Sequence, residues 1–82
     1  MTMLGSVTVT DGGDNVIATG NGFHEYDPTV QMYDVQDNGL QQGAHYTLVD
    51  EDGAGWQGIT FVGYDGQYAN FDNSVATQLP RH

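Results

Sequence analysis

The chain has 82 residues, with eleven aspartates and glutamates set against a single arginine, no lysine and no cysteine, for a formal net charge of −10. A chain of this length holds one domain and one core, and the absence of thiols rules out disulfides and thiolate metal centres. So one-sided a surface repels nucleic acid, anionic membranes and acidic substrates, and it attracts basic partners over a Debye length of ~8 Å. No apolar run nears the ~18 residues of a membrane span, and residues 1–6 lack the basic region and apolar core of a signal peptide. A secreted domain this small would need staples, so the expected address is cytoplasmic. Eight Val, five Tyr, three Phe and Trp56 suffice for one core and argue against disorder.

Asx-Gly pairs punctuate the chain at Asp11-Gly12, Asn21-Gly22, Asn38-Gly39, Asp52-Gly53 and Asp65-Gly66, and such pairs supply the positive φ angles of tight hairpin turns. Residues 1–5 are expected to fray. Ser6–Thr10 then alternates polar and apolar, and Val16–Thr19 reads as a short strand. Phe23–Val35 is longer and is interrupted at Pro28, which bends it, confines it to an edge or opens a short helical turn. Ala44–Asp50 places Tyr46 and Leu48 on one face and His45, Thr47 and Val49 on the other. Ile59–Tyr64 is apolar on both faces and is expected to be the central strand, and Tyr68–Phe71 completes a hairpin around Asp65-Gly66. Ser74–Gln78 fits a short turn, and residues 78–82, ending in His82, read as a frayed end. Two Glu, no Lys and twelve Gly leave few helix formers.

The expected fold is therefore all-β: one small acidic domain over residues 1–82, an antiparallel meander of five to six strands curled into a barrel or compact sandwich, with little helix. Val7, Val9, Tyr46, Leu48, Ile59 and Phe61 are the expected core. One internal echo stands out. Tyr26-Asp27 is followed seven residues later by Tyr33-Asp34, as Tyr64-Asp65 is by Phe71-Asp72. It reads either as core aromatics with solubilising neighbours or as a duplicated hairpin.

Catalytic and metal chemistry find little footing. Asp50-Glu51-Asp52 is the densest acidic run, but Gly55 and Gln57 do not continue an EF-hand ligand pattern. Asp11–Ile17 holds one imperfect copy of a calcium-binding nonapeptide, where several are needed. His24, Glu25 and His45 could meet around zinc only if two neighbours on a strand faced the same way. Ser6 and Ser74 lie in no nucleophile motif. No metal, cofactor or enzymatic activity is expected.

What remains is the charge. On a strand, residues i and i+2 share a face at ~6.6 Å, the order of the phosphate spacing along a nucleic-acid strand. Asp50 with Asp52, and Glu25 with Asp27, have that separation in sequence. The leading reading is thus a non-enzymatic binding or inhibitor protein that occupies a basic, nucleic-acid-binding surface of a partner protein. Its contacts would centre on Asp50, Glu51 and Asp52, with Glu25, Asp27, Asp34, Asp65 and Asp72 around them. Trp56, between Gly55 and Gln57-Gly58, is either a core residue or an exposed apolar anchor. In size and charge alone the chain resembles small phage-encoded inhibitors of host defence, some anti-CRISPR proteins among them. The alternative is a structural, oligomeric virion or decoration domain that pairs through strand edges unguarded by lysine. Acidity as an adaptation to high salt is a third.

Overall fold

The computed structural model describes residues 1–81, and His82 lies outside the described residues. Seven strands follow in order: β1 (Thr2–Thr10), β2 (Val16–Tyr26), β3 (Thr29–Asp37), β4 (His45–Asp50), β5 (Gly55–Asp65), β6 (Tyr68–Asp72) and β7 (Thr77–Leu79). All pair antiparallel. The order β4-β1-β2-β3-β6-β5 closes on itself through a β4–β5 pairing, so the all-β domain is a six-stranded barrel. β7 is an extra strand on β5, beyond the stretch that β6 covers. The strands do not run as an unbroken meander. β4 crosses back to lie beside β1, which gives the 4-1-2-3 order of a Greek key.

Alternation builds the core. Inward positions on facing strands bring together Val7, Val9, Ala18, Val30, Met32, Tyr46, Leu48, Trp56, Ile59, Phe61, Ala69 and Phe71, all buried, with no polar residue buried among the described residues. The six expected core residues are all in this set. Each such burial of a large apolar side chain stabilises by roughly 1.5–3 kcal/mol relative to exposure. The Tyr46 hydroxyl accepts the Gln41 N–H at 2.8 Å, which ties the β3–β4 crossover to the core it spans.

Several local expectations are corrected. Asn21-Gly22 is not a turn but lies inside β2, which joins the short Val16–Thr19 segment to Phe23–Tyr26. Gly22 faces inward, and a Cβ there would sit 3.1 Å from Val7 Cγ1 and 3.2 Å from Leu4 Cδ1. The glycine therefore serves packing, not a positive φ. Pro28 neither bends a strand nor starts a helix; with a cis Asp27–Pro28 peptide bond it forms the β2–β3 hairpin turn. Residues 2–5 belong to β1, where Thr2 pairs with His24, and Gln78 and Leu79 belong to β7, where they pair with Trp56 and Gly55. β5 has three partner strands. Only one of its faces is covered, however, since Val62 and Tyr64 are 45% and 49% exposed.

The two halves of the barrel share one architecture. An offset of 39 residues carries Ser6↔Asn21 onto His45↔Thr60, Val7↔Gly20 onto Tyr46↔Ile59, and Thr10↔Val16 onto Val49↔Gly55. It likewise carries Gly22↔Met32 onto Phe61↔Phe71, and Tyr26↔Thr29 onto Asp65↔Tyr68. Two pairs that bridge the halves, Val9↔Leu48 and Gln31↔Asn70, each join a residue to its own counterpart, so a pseudo-two-fold axis passes through both. Asp11 and Asp50 are counterparts in sequence and in role. Asp11 accepts the N–H groups of Gly13 and Asn15 (2.8 and 3.4 Å), and Asp50 accepts those of Asp52 and Ala54 (2.8 and 3.0 Å). The seven-residue aromatic-Asp echo is out of step with this repeat, because Tyr26 corresponds to Asp65 and Tyr33 to Asp72.

Candidate functional site

The pairing register sets where the acids lie. One end of the barrel gathers the β2–β3 turn, the β4–β5 turn and the end of β6, because Val7 pairs with Asp50 and Thr29 with Asp72. Asp27, Asp50, Glu51, Asp52 and Asp72 share that end. Asp65 sits at the opposite end with the β1–β2 turn and the crossover, and the Tyr64 hydroxyl there donates to Asp37 at 2.6 Å. The expected strand spacing for Asp50 and Asp52 is not realised, because β4 stops at Asp50 and Glu51-Asp52 form the turn. Glu25 and Asp27 are separated in the same way by the end of β2.

Nearly half of the carboxylates are occupied in holding turns. Asp27 accepts from Asn73 and hydrogen-bonds with His24 Nε2, both at 2.8 Å, and Asp72 accepts the Ser74 hydroxyl and its N–H. Asp37 accepts the N–H groups of Gly39 and Leu40 as well as the Tyr64 hydroxyl. These bonds stabilise the ionised form. The Gly13 N–H and then the Asn15 amide hold Asp11 below the usual carboxylate range. Asn73 and then His24 do so for Asp27, and the Ser74 hydroxyl does so for Asp72. Burial pushes Asp37 upward, but its three hydrogen bonds together outweigh that and leave it lowered. Asp52 is the one carboxylate facing a guanidinium, Arg81 Nε at 3.6 Å. Among the described residues this leaves Asp14, Glu25, Asp34, Glu51 and Asp65 with neither a hydrogen-bond nor an ion-pair partner on their carboxylates.

The Tyr64–Asp37 bond has a consequence at high pH. Burial and then the neighbouring carboxylate push the Tyr64 hydroxyl up to about 12. The unfolded tyrosine ionises near ~10, so stability from this bond is complete below ~10 and is lost as pH rises toward 12. An absorbance titration should show a tyrosine ionising near 12, and Tyr64→Phe should delete that step.

Trp56 is 8% exposed and packs edge-on against the His24 ring at 5.3 Å, beside a hollow of about 170 Å³. It is a core residue, so the exposed-anchor reading of Trp56 is corrected. His24 and His45 do not meet: His45 Nδ1 lies 3.0 Å from Thr60 Oγ1 at the start of β4. Among the described residues no group of three His, Asp or Glu is placed to hold a metal ion.

The feature that sequence reasoning missed lies on the barrel wall. Phe23 on β2, Tyr33 on β3 and Tyr68 on β6 point outward and meet, with ring centroids 6.1 Å (Phe23–Tyr33), 5.9 Å (Phe23–Tyr68) and 6.5 Å (Tyr33–Tyr68) apart. With Met1, Met3 and Glu25 they line a groove of about 340 Å³. Asp65 is the cross-strand partner of Tyr68 and so shares its face, and Asp34 follows Tyr33 at a bulge with φ +51°. Glu25, Asp34 and Asp65 are three of the five carboxylates with neither a hydrogen-bond nor an ion-pair partner. A signal did exist: Gln31 and Tyr33 share the polar phase of β3, opposite Val30 and Met32, which marks Tyr33 as outward. The false break at Asn21-Gly22 concealed the same phase for Phe23.

No family model, curated protein or solved structure matches this chain.

Proposed function

We propose that this is a non-enzymatic binding protein that docks on a basic surface of a partner protein, with a nucleic-acid-binding surface as the leading class of partner. The observation that carries the reading is the coincidence of an exposed aromatic groove with carboxylates that no turn employs. Interfaces draw their strength from desolvated aromatic centres, while surrounding charge sets association rate and selects the partner. The groove supplies the first. Glu25, Asp34 and Asp65 near it, Asp14 and Glu51 elsewhere, and a net charge of −10 supply the second. Support for a repeating phosphate-like array is weaker, because Asp27, Asp50 and Asp72 are held in turns. The structural, edge-pairing alternative has less to stand on, since six of the seven strands close into a barrel.

The test is to capture a basic partner, identify it and reconstitute the pair. Excess duplex DNA should displace the protein. The double substitution Glu51→Gln with Asp52→Asn, which spares the Asp50 turn cap, should slow association and flatten its salt dependence while leaving the melting temperature in place. A captured partner with an acidic or neutral contact face, or an association rate indifferent to salt, would defeat the reading.

A further inference from the structure

We infer that the Phe23–Tyr33–Tyr68 groove is a cation-recognition site that receives a lysine or arginine side chain from a basic segment of the partner. This rests on the binding function proposed above and names the chemistry of its centre.

The rings form a shallow three-sided bowl rather than a stack: their planes are inclined at 50°, 87° and 66° to one another. A cation seated over the groove can lie within ~6 Å of all three ring centroids, the range over which a ring face attracts it. Glu25 lines the groove, and Asp65 faces the same way beside Tyr68. The single arginine does not serve the rings, for it pairs with Asp52 at the β4–β5 turn. Met3, 58% exposed, offers an apolar wall against which the aliphatic stem of a lysine or arginine can lie.

The pseudo-two-fold axis provides an internal control. It leaves the surface at Gln31–Asn70, whose side chains hydrogen-bond at 2.8 Å. On one side of that pair stand Phe23, Tyr33 and Tyr68. On the other side Gly63, which partners Asn70 as Phe23 partners Gln31, takes the place of Phe23, and the 39-residue offset puts Asp72 and Thr29 in the places of Tyr33 and Tyr68. One half of the barrel thus folds with no aromatic at any of these positions, so the architecture does not call for the bowl. Nor is a second copy of the chain a fitting occupant, because two surfaces of net charge −10 repel. Charge complementarity selects a basic polypeptide.

The experiment titrates the full chain with an octa-arginine peptide, by calorimetry for affinity and by NMR for location. Wild-type protein should bind, with the largest shifts on the ring protons of Phe23, Tyr33 and Tyr68. The variant Tyr33→Leu with Tyr68→Leu keeps apolar bulk but removes two ring faces, and it should weaken binding about tenfold. Its salt dependence should stay as in wild type, since no carboxylate has changed. Unchanged affinity in the variant, or largest shifts at Asp50–Asp52 instead of the rings, overturns the groove as the site while leaving the acidic binding function standing. Failure of the wild-type chain to bind the peptide overturns both. Should the double variant not fold, the wild-type shift map alone decides between the groove and the turn.

Discussion

Replacing Trp56 by Ala should cost the fold roughly 3–5 kcal/mol, the range for deleting a large buried aromatic. The indole belongs to the core cluster that includes Leu48 and Ile59, and its backbone pairs on one side with Leu48 and on the other with Gln78. Removing it opens a cavity where the start of β5 joins both β4 and β7, and it strips the His24 ring of its neighbour at 5.3 Å. For a domain of this size, where ~1 kcal/mol shifts the melting temperature by ~4–8 °C, the loss amounts to tens of degrees. A thermal melt checks the magnitude. Function supplies the contrast: at temperatures where the variant remains folded, its affinity for a basic partner should match wild type. An Ala variant that melts like wild type but releases its partner quickly would restore Trp56 as a surface anchor.

Gly55→Ala should be at least as disruptive per atom added. An ideal Cβ at residue 55 would lie 1.9 Å from the Leu48 carbonyl oxygen and 2.9 Å from Val49 Cα, both backbone atoms that no rotamer change can withdraw. Overpacking costs typically ~1–3 kcal/mol and more where the backbone itself must move. Here it must, because Gly55 pairs with Val49 and with Leu79, so displacement disturbs two ladders together. Denaturant unfolding should show a midpoint lowered by the upper part of that range or beyond. Gly53→Ala gives a graded comparison, since residue 53 has φ +82° and lies in the turn instead of the ladder; strain of that kind costs ~1 kcal/mol. Equal losses at residues 53 and 55 would contradict the close-approach argument.

Both substitutions act at the junction of β4, β5 and β7, which lies at the same barrel end as the Asp50–Asp52 turn. Three of the turn-holding carboxylates, Asp27, Asp50 and Asp72, share that end, while the aromatic groove lies on the wall formed by β1, β2, β3 and β6. Variants at one should leave the other in working order.

Local pattern alone reached the all-β class, the inward phase of β1 and β4, and six of the core residues, whereas β5 reads as apolar on both faces. Alternation and turn chemistry are properties of neighbouring residues, and closing a sheet does not alter them. The same locality explains the misreadings. Asn21-Gly22 carries turn chemistry, yet Gly22 is glycine because Val7 and Leu4 crowd it from β1, a contact across the barrel wall that its own neighbours cannot reveal. Trp56, between Gly55 and Gln57-Gly58, reads as either core or exposed until β7 pairs beside it. The carboxylates are plain to count, but which of them are free is a matter of pairing. Asp27 is occupied by Asn73, 46 residues away, and Asp37 by Tyr64, 27 residues away. The bowl itself draws one ring from each of three strands, and only the non-local β3–β6 pairing brings Tyr68 to Tyr33 and Phe23. Contacts of that kind depend on register between distant segments, and register is set when the barrel closes, not by the residues on either side of a given position.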